Sequence, residues 1–164
     1  MALFGSTRDI TTFKFITNEV VVNIISQYIG YYKIMLDTTP VNIYGEALNK
    51  SYIGPVRINC LISRGDFEFT QTDFGPDNTR QVEFRFFKPH LEEANIFPEV
   101  GDVVLYNGLY FQIDNVNENQ LIVGKDNAYD YSVQGLSGFG SSYSIILKGH
   151  YTSPDALGIT QNRL

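Results

Sequence analysis

Two histidines, one cysteine and a few clustered carboxylates are the side chains of this sequence that could carry out chemistry. His90 and His150 could serve as bases or metal ligands, yet neither has a second ligand or an aspartate at useful spacing beside it. A Ser-His-Asp triad draws its members from distant segments, so spacing alone does not decide that case. No nucleophile-elbow pattern and no His-Glu-x-x-His occurs. The carboxylates Glu92-Glu93 and Asp126, Asp130 read as solvated surface rather than a general acid/base pair. Asp73-Phe-Gly-Pro-Asp77-Asn78 has ligand types for calcium, at spacings that do not fit an EF-hand. The glycines Gly135, Gly138 and Gly140 precede no helix that could hold phosphate. Cys60, being single, forms neither a disulfide within the chain nor a cysteine-based zinc cluster. Its place in the run Val56–Ile62 marks it as a small buried hydrophobe. The reading is a protein without catalytic residues, metal or cofactor.

Binding partners are bounded by charge. The chain carries 12 Lys+Arg against 18 Asp+Glu, a formal net charge of −6. Arg57, Arg64, Arg80, Arg85 and Lys88 are scattered singly, so nothing resembles the clustered basic surface that neutralises phosphates. An acidic wall would instead let nucleic acid slide past. No apolar run approaches the ~20 residues of a membrane helix, and the first residues lack a signal-peptide layout. A soluble chain folding in a reducing cytoplasm is expected.

The elements that would position any site are mostly strands. With 12 Phe, 11 Tyr and no Trp, the composition suits pleated, half-buried surfaces. One segment reads as helix: Thr17 as cap, Glu19 in the first turn, Val20, Val21, Ile24, Ile25 and Tyr28 as an apolar stripe, and Gly30 as its end. That stripe either packs on a sheet or docks on a neighbouring subunit. After Pro40, short strands alternate with turn signals. Val56–Ser63 places Val56, Ile58, Cys60 and Ile62 on one face, and Arg64-Gly-Asp66 turns into Phe67–Phe74. Gly75-Pro-Asp-Asn78 reads as a turn, and Gln81–Lys88 as the clearest strand, with Val82, Phe84 and Phe86 inward. A single helical turn is expected around Leu91–Ala94. Val103–Tyr106 and Leu109–Val116 flank Asn107-Gly108, the strongest short hairpin signal. A turn at Asn117-Glu-Asn119 then leads to Gln120–Lys125, and Tyr143–Lys148 is the last strand.

Together these predict one mainly β domain over residues 1–164, a small barrel or sandwich with one N-terminal amphipathic helix. Its parts are an N-terminal arm at 1–15, the helix at 17–30, a β body at 31–150 with a Gly/Ser loop at 134–142, and a C-terminal tail at 151–164. Such loops and arms suit a ring whose subunits reach their neighbours. In the loop, Leu136 and Phe139 are apolar with no periodic partner, which marks them as anchors on an adjacent subunit or as residues folded back on their own domain.

An amphipathic helix leads to Tyr31-Tyr32-Lys33-Ile34, then Tyr44-Gly45-Glu46 and Lys50-Ser-Tyr52. A β-rich body follows, with Phe97-Pro-Glu-Val-Gly-Asp-Val-Val104 and Tyr110-Phe-Gln-Ile113. In this order, over about residues 15–130, the chain resembles the neck, or head-closure, proteins of contractile-tailed bacteriophages. The resemblance implies a structural virion protein, assembled in the host cytoplasm, that forms a homo-oligomeric ring of about six copies. Portal or adaptor protein would lie above it, and tail terminator or tail tube protein below. DNA would pass through the lumen without sequence-specific binding, and Tyr44, Gly45 and Glu46 would lie at a subunit or partner interface. The level in the neck (adaptor, stopper or terminator) stays open. So do a small-ligand-binding barrel, a hydrolase on a jelly-roll-like scaffold, and another tail or baseplate subunit.

Overall fold

Thr7–Glu19 forms helix α1, which continues as a wider π-helical segment, Val20–Ile25. Ser26 stops it in the left-handed conformation, its N–H bonding Val21 O at 3.1 Å. These come from a computed structural model, which describes residues 7–37, 39–40, 50–65, 68–72, 75–121 and 142–159. The helix therefore starts well before the expected Thr17, and residues 7–15 belong to it rather than to an arm. It also ends sooner. Tyr28 and Gly30, expected on and after the stripe, lie in a strand, because Gln27 O already accepts the N–H of Cys60 at 3.0 Å.

Among the described residues nine strands follow: β1 (Tyr28–Ile34), β2 (Tyr52–Asn59), β3 (Leu61–Arg64), β4 (Glu68–Thr72), β5 (Gly75–Thr79), β6 (Gln81–Phe87), β7 (Val103–Tyr106), β8 (Leu109–Leu121) and β9 (Ser142–Thr152). Helix α2 (Lys88–Glu93) lies between β6 and β7, and α3 (Pro154–Leu157) follows β9. Seven strands form one antiparallel sheet in the order β2-β1-β7-β8-β9-β6-β3, while β4 and β5 pair separately. The mainly β fold with an N-terminal helix is as expected. The sheet is open, however, because its edge strands β2 and β3 do not pair, so among the described residues no barrel closes and no second large sheet makes a sandwich. Those edges are consecutive in the chain, joined through Cys60 alone, and the sheet must roll to bring them together.

Rolling creates the core. Ile29, Tyr31, Ile58, Cys60, Val82, Phe84, Phe86, Val104, Phe111, Ile113, Ile145 and Leu147 meet inside, with Leu91 and Ile96 packed against them from the α2 segment. On the outer face, Val103, Tyr110 and Leu157 form a second cluster under α3. Ser153 Oγ caps α3 by accepting the N–H of Ala156. Residues 151–157, expected to be tail, are thus strand and packed helix.

Smaller differences have local causes. Gly75–Thr79 is a strand and not a turn, since Phe69↔Asn78 and Thr70↔Asp77 pair across β4 and β5. Asn117-Glu-Asn119 stays within β8, where the register against β9 shifts between Asn117 and Gln120 and absorbs the extra residues. Cys60 breaks the predicted strand Val56–Ser63 into β2 and β3, leaving Val56 exposed. At Gly54 the backbone has φ +143 and a Cβ would come within 2.6 Å of Tyr31 O, so only glycine fits beside the β1 irregularity. Pro55, on this edge strand, has no ladder bond to lose there.

The hairpin is as predicted. Asn107 and Gly108 have φ of 51° and 74°, and β7 pairs β8 from Tyr106↔Leu109 to Val103↔Gln112. A Cβ on Gly108 would meet nothing within 4 Å, so a substitution there costs backbone strain alone. Gly108→Val is expected to lower stability by ~1–3 kcal/mol in urea unfolding. An unchanged midpoint would contradict the turn's role in fixing register.

Candidate functional site

Asp102 is the one fully buried charged side chain among the described residues. It stands where Gly101 turns the chain into β7, and its backbone already pairs Ile113 across the hairpin, with Ile113 N 2.8 Å from Asp102 O. Its carboxylate gathers four donors. Tyr31 Oη donates a short hydrogen bond to Oδ2, Glu99 N donates to Oδ2 at 2.8 Å and Ile34 N to Oδ1 at 2.9 Å. Lys33 Nζ lies 3.2 Å from Oδ2 and also reaches Phe97 O at 2.7 Å and Glu99 Oε2 at 2.8 Å. Burial, then the hydrogen bond to Asp102 and its charge, push the Tyr31 phenol far above its usual range, so it serves as a donor. The segments Tyr31–Ile34 and Phe97–Val104 are far apart in sequence, and this network ties them together. Its chemistry is structural: it clamps the loop at 97–102 onto the end of β1.

The two histidines and the cysteine do not converge on this network. His90 Nε2 lies 2.6 Å from Asn18 Oδ1, and its ring packs on Phe87, so it holds the helix against α2. His150 Nδ1 lies 2.8 Å from both oxygens of Asp114 on the exposed face of β8 and β9. The Cys60 thiol is fully buried, and burial pushes its pKa up to about 12. Among the described residues no group of three or more His, Cys, Asp and Glu could hold a metal ion. No helix is long and apolar enough to cross a membrane, again among the described residues. A cavity of about 190 Å³ at one mouth of the roll is lined by Arg64, Arg80, Tyr106 and Phe111, and Arg64 Nη2 donates to Tyr106 Oη at 2.7 Å. It is smaller than the ~300–1,000 Å³ usual for ligand sites.

What the surface does present is apolar. On the helix, Phe13, Phe15, Ile16, Ile24 and Ile25 are exposed, while Val21 is buried. Phe13, Ile16, Val20 and Ile24 recur at spacings of three and four and form one stripe. Thr17 and Val21 border the groove to Leu61, Phe86, Phe87 and Ile146, so the packed face of the helix lies beside this stripe and does not include it. Far along β1, Leu36, Ile53, Phe97 and Val100 are exposed as well.

Tyr44, Gly45 and Glu46, and the loop residues Leu136 and Phe139, lie outside the described residues. The structure brings together Tyr31, Lys33, Glu99 and Asp102 instead, which the sequence reading left without a role. It also extends the stripe back to Phe13, whose spacing to Ile16 and Val20 was the available signal. No protein-family model matches this chain, and no curated protein is significantly similar to it.

Proposed function

We propose that this chain is a structural subunit of the bacteriophage neck, forming a ring between capsid portal and tail that helps to retain the packaged genome. The observation that supports it most is the helix at residues 7–25. Its stripe remains in water although the rolled sheet beside it has a filled core of its own. A contiguous apolar face of this kind is the usual mark of an association surface. The network around Asp102 agrees, because it rigidifies a surface loop at the opposite end of β1 without building a reaction centre. An acidic chain lining a lumen would repel DNA and let it pass. In this reading the ring holds about six copies. Portal or adaptor protein sits above and tail terminator or tube protein below, and Tyr44, Gly45, Glu46, Leu136 and Phe139 serve those contacts.

Mass photometry with the portal ring of the same phage tests the proposal. The portal is expected to gain mass in multiples of the 18.6 kDa subunit, six being the favoured number. No gain on any portal or tail component, or a tight dimer formed without a partner, would overturn it.

A further inference from the structure

The apolar stripe and the second exposed patch sit at opposite ends of the same strand. The helix joins β1 at Tyr28 and is held there by the Asn18–His90 contact. At the other end, Ile53 pairs Lys33, Lys33 Nζ holds Phe97 O, and Ile34 Cδ1 lies 3.7 Å from where a Gly101 Cβ would be. Leu36, Ile53, Phe97 and Val100 therefore gather round the end of β1 that the helix does not reach. Seven residues of strand separate the two ends by roughly 20 Å, so the stripe cannot cover the patch of its own copy.

We infer that the helix stripe of one copy seats on the Leu36–Ile53–Phe97–Val100 patch of the next, head to tail. This rests on the assembly reading above and names its contact. Three observations favour a second copy as the occupant. The two surfaces match in exposure: Phe13, Ile16 and Ile24 are 52–72% exposed and Leu36, Ile53, Phe97 and Val100 55–69%. At ~150–250 Å² for each aromatic side chain and less for each aliphatic one they sum to under about 1,000 Å², the size of a weak contact. Their charges are also complementary, since Lys14 lies beside Phe13 in sequence whereas Asp37 adjoins Leu36, and Glu99, beside Val100, is balanced by Lys33. Of the acidic residues on the helix, Glu19 is engaged by Asn23 Nδ2 at 3.0 Å. Finally, two different patches on one molecule give a heterologous contact, which propagates in one direction and closes into a ring when the rotation permits. A self-complementary dimer would need only one.

A short bismaleimide linker between introduced cysteines reads the contact directly. Ile24 is 72% and Phe97 65% exposed, so I24C and F97C should fold normally, and buried Cys60 gives little background. Each single variant alone is expected to stay unlinked, an equal mixture to give dimers, and the double variant to give a ladder, with or without portal. I24C linking to itself would mean a two-fold contact and overturn the proposal, and so would the absence of mixed links under both conditions. Replacing Phe13 and Ile16 with Ser in the double-cysteine chain should weaken the ladder by roughly tenfold or more. A ladder unchanged by those replacements would also overturn it. Mass gain on portal without I24C–F97C links would sink this contact and spare the neck reading, whereas a ladder from a chain that ignores portal and tail would do the reverse.

Discussion

Asp102→Ala is expected to destabilise the domain by about 3–5 kcal/mol, the range for removing one partner of a buried ion pair. Four donors lose their acceptor at once, and two of them are backbone N–H groups that cannot turn elsewhere: Ile34 N and Glu99 N. Lys33 keeps Glu99 Oε2 and Phe97 O, which holds the loss below the sum of four separate bonds. Asp102→Asn should cost nearly as much, because its amide nitrogen would bring donors against donors. Tyr31→Phe removes one donor and leaves the carboxylate three, so about 1.5–3 kcal/mol is expected. Urea unfolding with an unchanged slope gives these values. A shift of less than 1 kcal/mol for Asp102→Ala would show that the network is not what fixes the loop.

Phe84→Ala should cost a similar ~3–5 kcal/mol for a different reason. Phe84 is fully buried, with its ring edge-on to Phe111 at 5.7 Å and Tyr106 at 6.4 Å. Strand β9 lies between β6 and β8 in the sheet, so the Phe84–Phe111 contact crosses the interior of the roll. The informative control is Phe97→Ala, the same change at an exposed site, expected within about 0.5 kcal/mol of the parent in monomer stability. Phe97→Ala should instead weaken association between copies, read by sedimentation of the chain with portal. Equal urea midpoints for the two variants would refute this division between core and contact surface.

Local signals were legible where one physical requirement dominated. The alternation Val82, Phe84, Phe86 predicted a buried strand face, and positive φ at Asn107-Gly108 could be foreseen from residue type alone. The helix lies earlier than expected because Thr17, a good cap residue, falls inside a helix whose stripe already includes Phe13, and Tyr28 fits both a helical and a strand pattern. Pairing between β2 and β1 decides for strand, and no local propensity encodes that. The open edge was equally hidden. Val56 to Ile62 alternates without interruption, yet Cys60 is where hydrogen bonding passes from β1 to β6. Nothing local marks Asp102, since its four partners come from Tyr31, Lys33, Ile34 and Glu99 and only folding assembles them.

The position of β9 has a consequence for synthesis on the ribosome. It pairs β8 on one side and β6 on the other, inside the seven-stranded order, although it is the last strand in sequence among the described residues. Until residues 142–152 emerge, β2-β1-β7-β8 and β6-β3 are two partial sheets linked through Cys60, each with an unpaired edge and half a core. Contacts such as Phe84 with Leu147 span much of the chain, and such topologies fold slowly. Until β9 emerges the nascent chain keeps sheet edges open to other chains, as growing polysomal copies lie close together. Completion of the domain waits on that one strand.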